Sequence, residues 1–283
     1  MTFVRELPVE RVREAVRRLC VETACLLPDD VTAALRRARD REDSAPARRV
    51  LDQLLRNAES ARGEMLPLCQ DSGLPLLFLE IGQDVHLVGG TLQDAIRDGV
   101  AAALEEGYLR GSLLRWPLAP DGGEGAPLPA VYTEIVPGDR LRLRLMARGA
   151  GGEGAGCLLL LPGHSGRTEV ARAVVQAVQE RGRTACPPII VGVGIGGTAE
   201  YAMLLARRAL LRRVGEPHPW PEAASLEGEL LERVNALGIG PLGVGGRTTA
   251  LAVHVELHSS HASLLPVAVA LQCHSARLRE LVL

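Results

Sequence analysis

Hydrophobic positions recur with a helical period through the first fifth of the chain. Between residues 9 and 62 aliphatic side chains return every three to four positions, with charged residues between them, which is typical of amphipathic helices packed on a core. Breaks at residues 27–30 and 43–46 divide this stretch, so we predict three short helices. The candidate N-caps of the second and third helices are Asp29 or Asp30 and Ser44.

Beyond residue 63 the pattern changes to short strands that alternate with helices. The predicted strands are residues 74–81 and 85–88 around a Gly82-Gln83-Asp84 turn, residues 131–136 and 140–146 as a pair joined by residues 137–139, and residues 189–191 and 250–257. The predicted helices are residues 91–106 with a Thr91 to Asp94 cap, residues 167–181, and two that end near residues 213 and 235. In the strand 140–146 leucines alternate with arginines, which predicts one buried face and one solvated face.

These elements together predict a mixed α/β (α+β) fold with all 283 residues in a single domain. We expect a helical N-terminal part, residues 1–63, to pack on a mixed sheet formed by residues 64–283. Because 47% of the residues are hydrophobic and only 2% are aromatic, the core must be aliphatic. The glycine-rich loops are expected to gather at one edge of the sheet, where loops often carry function.

Every one of the 32 basic side chains is an arginine, because the chain contains no lysine. That absence excludes Schiff-base catalysis, a pyridoxal-phosphate anchor and a P-loop phosphate site, which all need a lysine ammonium group. Arginine binds carboxylates through a bidentate fork, so recognition of an acidic substrate remains open. The net charge of −2 and the scarcity of aromatic residues predict no nucleic-acid partner.

Hydrophobic runs in this chain are short. None approaches the roughly 20 apolar residues that span a bilayer, and charges run through residues 1–18, so we expect no signal peptide and no membrane contact. The expected location is the cytoplasm. In that compartment the six cysteines are expected to bind metal, take part in catalysis or be buried, rather than to form disulfides.

A glycine pattern at Gly192, Gly194 and Gly197 follows a predicted strand and precedes a predicted helix. Its spacing matches dinucleotide-binding proteins, but those also need a second strand with an acidic residue about 20 residues later. The sequence there is a helix and a proline-rich loop, so a nucleotide-binding oxidoreductase is only an alternative hypothesis. Two other interpretations stay open: N–H groups at a helix N-terminus that bind an anion, or glycines that let a strand pack closely on a helix.

Three cysteines lie in predicted loops beside proline, glutamine or histidine, and these are Cys69, Cys186 and Cys273. Their separations are too long for a local zinc or ferredoxin motif, so spacing alone favours buried cysteines. The polar neighbours Gln70 and Asp71 favour a functional role for Cys69 instead. The cysteines interpreted as packing residues, in helical or aliphatic surroundings, are Cys20, Cys25 and Cys157.

Five motifs occur in the order found in a known enzyme family. They are Leu68-Cys69-Gln70-Asp71-Ser72-Gly73, Tyr108-Leu109-Arg110-Gly111-Ser112, the segment from Cys186-Pro187-Pro188 to Gly196-Gly197-Thr198, the segment from Asn235-Ala236-Leu237-Gly238 to Gly246-Arg247-Thr248-Thr249, and the run from His261-Ala262-Ser263 to Cys273. On these motifs the chain resembles the alpha subunit of the two-subunit class I (iron–sulfur) fumarate hydratases and L-tartrate dehydratases. That subunit is equivalent to about the N-terminal half of the single-chain class I fumarases.

The resemblance implies that Cys69, Cys186 and Cys273 bind a [4Fe-4S] cluster in which one iron lacks a protein ligand. An iron with an open position is a Lewis acid for a substrate hydroxyl group. The implied activity is a hydro-lyase that interconverts a 2-hydroxy dicarboxylate and its unsaturated dicarboxylate. Fumarate and L-malate are the default pair, and tartrate or a related dicarboxylate is the alternative.

The resemblance also assigns residues and partners. Positions that line the substrate site in the family are matched by Gln70, Asp71, Arg110 and His261, and a backbone segment that binds the substrate anion is matched by Gly151 and Gly152. Arg110 is suited to clamp a carboxylate. A beta subunit is expected to carry the remaining active-site residues in an α2β2 assembly, so that this chain is inactive alone.

Two loops depart from the family pattern. Its Lys-Gly-Gly-Gly-Ser-Glu-Asn segment corresponds to residues 148–154, where Glu153 is kept but the serine and asparagine are absent, and an Asn/Asp-rich loop is replaced by residues 119–126. These changes leave a second hypothesis open, a non-catalytic scaffold or regulatory subunit of a hydratase-like complex. The expected architecture is then a helical layer on a mixed sheet, with glycine-rich loops around an iron–sulfur site.

Overall fold

The computed structural model describes residues 4–111, 118 and 129–283, and the chain divides into two compact units. Unit 1 comprises the described residues of Met1–Leu27, Ala58–Gly149 and Arg277–Leu283, and unit 2 comprises Pro28–Asn57 and Ala150–Ala276. Both units contain helices and a mixed sheet, so the predicted mixed α/β fold is confirmed. It stays a prediction that residues 1–283 act as one cluster-binding domain. The altered loop 119–126 lies outside the described residues.

The helices and strands mostly follow the predicted bounds. The helices are α1 (Val9–Cys25), α2 (Asp29–Arg41), α3 (Ala45–Glu64), α4 (Leu92–Glu106), α5 (Ala150–Gly154), α6 (Arg167–Arg181), α7 (Ala199–Ala209) and α8 (Pro221–Asn235). The strands are β1 (Arg5–Pro8), β2 (Leu74–Gly82), β3 (Val85–Val88), β4 (Ala130–Val136), β5 (Leu141–Arg148), β6 (Cys157–Pro162), β7 (Ile189–Ile195), β8 (Ala250–Leu257), β9 (Leu264–Gln272) and β10 (Leu278–Val282). Among the described residues no helix is both long enough and apolar enough to cross a membrane.

The three helices predicted near the N-terminus are present as α1, α2 and α3. The predicted cap of α2 is wrong, because its N-cap is Pro28 and no side chain caps it. Asp29 and Asp30 lie in the first turn instead, where the carboxylate of Asp30 accepts a 2.6 Å hydrogen bond from the N–H of Val214. Their negative charge stabilises the positive end of the helix dipole. Ser44 directly precedes α3, at the predicted cap position.

Unit 1 contains a four-stranded sheet in the order β10-β5-β2-β4. One of its two inner strands, β2, is antiparallel to β5 and parallel to β4. The predicted β4–β5 pairing is therefore wrong, because β2 lies between the two strands. Four successive residues of β2, Leu76 to Leu79, are at most 4% exposed, and a strand buried on both faces belongs inside a sheet. β3 follows β2 after the predicted turn at residues 82–84. It pairs in parallel with β1, a strand that the sequence pattern did not indicate.

The alternation of leucine and arginine in β5 separates buried from solvated side chains, as predicted. Leu141, Leu143 and Leu145 are at most 1% exposed and lie in an aliphatic core with residues of α1 and α4. Burying each leucine contributes about 1.5–3 kcal/mol. Arg142 and Arg144, at the alternate positions, pair with Glu80 of β2. The arginine side is thus ion-paired and partly exposed, although Nε of Arg144 is buried.

Unit 2 contains a four-stranded sheet in the order β6-β9-β7-β8. One of its two inner strands, β7, is parallel to β8 and antiparallel to β9. The odd-numbered residues of β7 lie in a core with residues of α6 and α8. The even-numbered Gly192 and Gly194 meet α7, where a Cβ would overlap the carbonyl oxygens of Ala206 and Ala202. These two glycines therefore let the strand and the helix approach to backbone contact, which is one of the interpretations left open by the sequence.

We expect Gly194→Ala to lower the free energy of unfolding by about 3 kcal/mol, because the new methyl group must displace α7 from β7. Gly228→Ala is the matched control. Gly228 is exposed in α8 with no atom near its missing Cβ, so the same substitution should raise the free energy of unfolding by about 0.5–1 kcal/mol. Urea unfolding followed by circular dichroism measures both values. Effects of the same sign at the two positions would contradict the close packing of α7 on β7.

Candidate functional site

The Cys69 motif forms a turn between α3 and β2 in unit 1. At its start the N–H of Leu68 donates a 2.9 Å hydrogen bond to the last turn of α1. At its end the N–H of Gly73 donates a 2.9 Å hydrogen bond to the carboxylate of Asp71, an Asx-type turn that holds this carboxylate on its own loop. Cys69 is half-buried, and the side-chain oxygen of Gln70 lies 3.8 Å from its sulfur. The turn therefore carries a thiol, an amide and a carboxylate within three residues.

Arg110 lies just beyond the C-terminal end of α4 in unit 1. The C-cap of this helix is Gly107, and the chain then turns at Tyr108, whose φ is 50°. Arg110 is exposed, and its expected role as a carboxylate clamp stays a prediction. Ser112, the last residue of the same motif, lies outside the described residues.

Cys186 follows a short 3-10 helix, Gly182–Ala185, in unit 2. Its backbone is left-handed, with φ 54° and ψ 70°, a conformation that costs a residue with a Cβ about 1–2 kcal/mol. The residue is also exposed, and strain of this kind is concentrated at functional sites. The carbonyl oxygen of the next residue, Pro187, accepts a 2.8 Å hydrogen bond from the N–H of Leu242. The glycine-rich loop of residues 238–246 therefore lies beside Cys186.

Cys273 follows β9, and its loop is tied to the turn that carries Cys186. The backbone N–H and the ring Nδ1 of His274 lie 3.3 and 3.0 Å from the carbonyl oxygen of Cys186. Because a carbonyl oxygen only accepts, Nδ1 carries a proton in this contact. The sulfur of Cys273 lies 3.0 Å from the hydroxyl group of the buried Ser275. The structure thus brings Cys186 and Cys273 together within unit 2.

Gly151 and Gly152, in the short helix α5, pack against both of these cysteine loops. A Cβ on Gly151 would overlap the carbonyl oxygen two residues before Cys186. A Cβ on Gly152 would lie 2.7 Å from the carbonyl oxygen two residues before Cys273. The two glycines therefore allow one short helix to approach both loops at backbone distance. Their expected contribution to anion binding stays a prediction.

His261 lies exposed in the loop between β8 and β9 of unit 2. The N–H of Ser263 donates a 3.1 Å hydrogen bond to its Nδ1, so the neutral ring carries its proton on Nε2 and can donate from there. The glycine run after β7 supports this loop, because the N–H groups of Gly196 and Gly197 donate 2.9 Å hydrogen bonds to carbonyl oxygens of β9 and of the loop. Because these N–H groups already donate to backbone carbonyls, they favour a packing role for this glycine run over anion or dinucleotide binding.

The remaining cysteines are packing residues, as predicted. Cys20 and Cys25 are buried in α1, and burial raises the pKa of the Cys20 thiol to about 12. Burial also raises the pKa of Cys157, at the start of β6. All six cysteines lie in the described part of the chain, and none forms a disulfide. In that same part, no group of three or more His, Cys, Asp or Glu side chains is assembled to hold a metal ion.

Sequence reasoning missed three residues around these loops, which are His274, Ser275 and Arg277. The first two contact the Cys186 carbonyl and the Cys273 sulfur. The guanidinium of Arg277, in unit 1, donates a hydrogen bond to the carbonyl oxygen of Asp71. All three follow Cys273 within four residues. The signal that could have found them is this run of hydrogen-bonding side chains directly after a candidate ligand.

Known proteins match nearly the whole chain. A family model described as fumarate hydratase (Fumerase) matches residues 13–282. The chain is 37% identical over 273 residues to a putative L(+)-tartrate dehydratase subunit alpha of Methanocaldococcus jannaschii, covering 94% of this chain and 95% of that protein. It is 32% identical over 276 residues to the L(+)-tartrate dehydratase subunit alpha of Escherichia coli strain UTI89, covering 96% and 91%. The matched range includes every candidate site residue named above.

We expect Cys186→Gly to be about 1 kcal/mol more stable than Cys186→Ala, because glycine adopts the left-handed backbone without a Cβ clash. Cys157 is the control position, since its backbone lies in a β-strand. There the alanine variant should be the more stable one, because glycine weakens a strand. Thermal unfolding of the four variants measures the two differences. If alanine is preferred at both positions, the strain assigned to Cys186 is wrong.

Proposed function

We propose, since this chain belongs to the fumarate hydratase family, that it is the alpha subunit of an iron–sulfur hydro-lyase for a 2-hydroxy dicarboxylate. The hydro-lyase class follows from the family and from the names of its relatives, and those names imply a beta subunit. The location of the three motif cysteines supports the proposal that the chain binds an iron–sulfur cluster. Cys69, Cys186 and Cys273 lie in loops, whereas Cys20 and Cys25 are buried in a helix and the half-buried Cys157 lies in a strand.

The chemistry of the donor set fits a cluster with three cysteine ligands. Cys186 and Cys273 lie on adjoining loops, and the Ser275 hydroxyl is placed to donate a hydrogen bond to the sulfur of Cys273. Hydrogen bonds to ligand sulfur atoms tune iron–sulfur sites in general. Cys69 is the third proposed ligand, from its own turn. A cluster with one iron free of protein ligands would supply a Lewis acid for the hydroxyl group of the substrate.

Dehydration of a 2-hydroxy dicarboxylate removes a proton and a hydroxide from neighbouring carbons. As the proton leaves, negative charge develops on the carboxylate next to that carbon, and a fixed cation stabilises it. We assign this carboxylate contact to the exposed guanidinium of Arg110. Gln70 and Asp71 are assigned to orient the hydroxyl group or water, and His261 to donate a hydrogen bond through Nε2. The beta subunit is proposed to supply the group that removes the proton.

The substrate is proposed from the relatives and from the family. The relatives' names include L(+)-tartrate, so tartrate is tested first, followed by fumarate and L-malate. Gly151 and Gly152 are proposed to add backbone N–H donors for the substrate anion. The α2β2 assembly and the cytoplasmic location are proposals as well, and light scattering of the co-purified complex measures the stoichiometry.

A non-catalytic subunit is the second candidate, and one observation favours it. The segment 148–154 lacks the serine and asparagine of the family pattern, and two of its four glycines, Gly151 and Gly152, are packed against backbone carbonyls. This candidate predicts a complex that binds a cluster and a beta subunit but turns over no hydroxy-dicarboxylate. Assays of the anaerobically purified complex on tartrate, L-malate and fumarate therefore separate the two functions.

Replacing Cys69, Cys186 or Cys273 by serine should abolish the intact cluster, because a thiolate ligand is lost. Cys157→Ser is the matched control, a half-buried cysteine in a strand outside the motifs, and it should keep the cluster. Iron and acid-labile sulfide, measured per chain after anaerobic reconstitution, give the result. A wild-type chain that binds neither, alone or with its beta subunit, would refute the iron–sulfur proposal.

Replacing Arg110 by alanine should lower kcat/KM of the complex about 100-fold or more, as the loss of one fixed donor to developing charge does elsewhere. The visible absorbance of the cluster should stay unchanged, since the guanidinium is not a ligand. Arg142→Ala is the control, because this arginine lies on the sheet and pairs with Glu80. Equal activity in the Arg110 and Arg142 variants would remove Arg110 from the substrate site.

A further inference from the structure

Arg277 has the largest side chain among the fully buried residues that the structure describes, with only 1% of its surface exposed. Its Nε has no hydrogen-bond partner among the described residues. A buried guanidinium with an unsatisfied donor lowers stability, and an apolar side chain of similar volume would fill the same space without that cost. Packing in unit 1 therefore does not explain why an arginine occupies this position.

The contacts of Arg277 lead to the turn that carries Cys69. Its Nη1 donates a hydrogen bond to the carbonyl oxygen of Asp71. Gly149, just after β5, lies against the same pair: a Cβ there would be 3.2 Å from Nη2 of Arg277 and 3.0 Å from the carboxylate of Asp71. The guanidinium is therefore enclosed between the end of β5 and the Cys69 turn.

The backbone of Arg277 is itself held by the sheet. Its carbonyl oxygen accepts a 3.1 Å hydrogen bond from the N–H of Ala147, next to the ladder that pairs β10 with β5. The donors of a guanidinium form a rigid planar fork, so a bond to a carbonyl sets the direction of the peptide as well as its distance. The Asp71 carbonyl belongs to the peptide that joins Asp71 to Ser72, so the bond restrains the turn directly after Cys69 and Gln70.

We propose that Arg277 is a positioning residue that fixes the backbone of the Cys69-Gln70-Asp71 turn. It holds a proposed cluster ligand and two proposed substrate residues in one orientation without touching substrate itself. The importance of that turn rests on the proposed function. The contact between Arg277 and the turn does not, and it can be tested without cluster or turnover.

The test is the alkylation rate of each cysteine in the folded, full-length chain without cluster, measured by mass spectrometry with N-ethylmaleimide. In Arg277→Met we expect Cys69 to react about tenfold faster than in the wild type, the loosening expected when a charged hydrogen bond is lost. The rates of Cys186, Cys273 and Cys157 should change by less than about twofold, because local opening at one turn leaves other segments closed. Circular dichroism verifies that each variant is folded.

Two further variants test the contact itself. Arg277→Lys keeps a cation and N–H donors but loses the planar fork and carries a more strongly hydrated charge, so its Cys69 rate should lie between those of the wild type and of Arg277→Met. Gly149→Ala keeps the arginine but adds a methyl group 3.2 Å from Nη2 and 3.0 Å from the Asp71 carboxylate. These groups must then shift, so this variant should also accelerate the alkylation of Cys69. If Arg277→Met does not fold, Gly149→Ala tests the contact between Arg277 and the turn.

Arg144→Met is the matched control, because Arg144 also has a buried Nε without a partner in the described residues and lies on β5. It pairs with Glu80 rather than with the turn, so the Cys69 rate should not change. An unchanged Cys69 rate in both Arg277→Met and Gly149→Ala, or equal acceleration of all the cysteines, would overturn the proposal. If the selective effect is found but the wild-type complex has no hydro-lyase activity, the proposed function fails and the positioning role stands.

Discussion

The antiparallel pairing of β7 with β9 brings the Cys186 and Cys273 loops of unit 2 together, and the carbonyl oxygen of Cys186 joins the two loops directly. Two donors of His274 converge on it, so the turn before β7 and the loop after β9 cannot separate without losing both contacts. Cys186 offers this carbonyl from a left-handed backbone, and the hydrogen bonds offset the strain of that conformation. The absence of side chains at Gly151 and Gly152 then lets α5 approach both loops.

Arginine serves three physical roles in a chain without lysine. Arg142 and Arg144 pair with a glutamate on the face of a sheet, Arg110 is exposed at a helix end, and Arg277 is buried against a backbone carbonyl. One side chain can do all three because a guanidinium stays charged, is weakly hydrated and carries five donors in a plane. An ammonium group is more strongly hydrated, so the buried role is the one in which lysine would be the poorest replacement.

Local patterns predicted most helices and strands, and the errors came where pairing is long-range. The leucine–arginine alternation of β5 identified its buried face correctly. The predicted pairing of β4 with β5 was wrong because proximity along the chain does not decide which strands pair, and β2 lies between them. The predicted cap at Asp29 or Asp30 was wrong because these residues lie one and two positions after the N-cap Pro28, and Asp30 bonds to Val214, far along the sequence.

The sequence by itself determined the family, the helical and extended segments, and the loops in which the candidate ligands lie, because motif order and hydrophobic period are local properties of the chain. Only the tertiary structure decided that Gly192 and Gly194 seat a helix, that Cys186 adjoins Cys273 within unit 2, and that Arg277 reaches the Asp71 carbonyl. Each of these depends on contacts between residues far apart in sequence. The hydrophobic period and the motif spacing of a sequence do not show which distant residues are in contact.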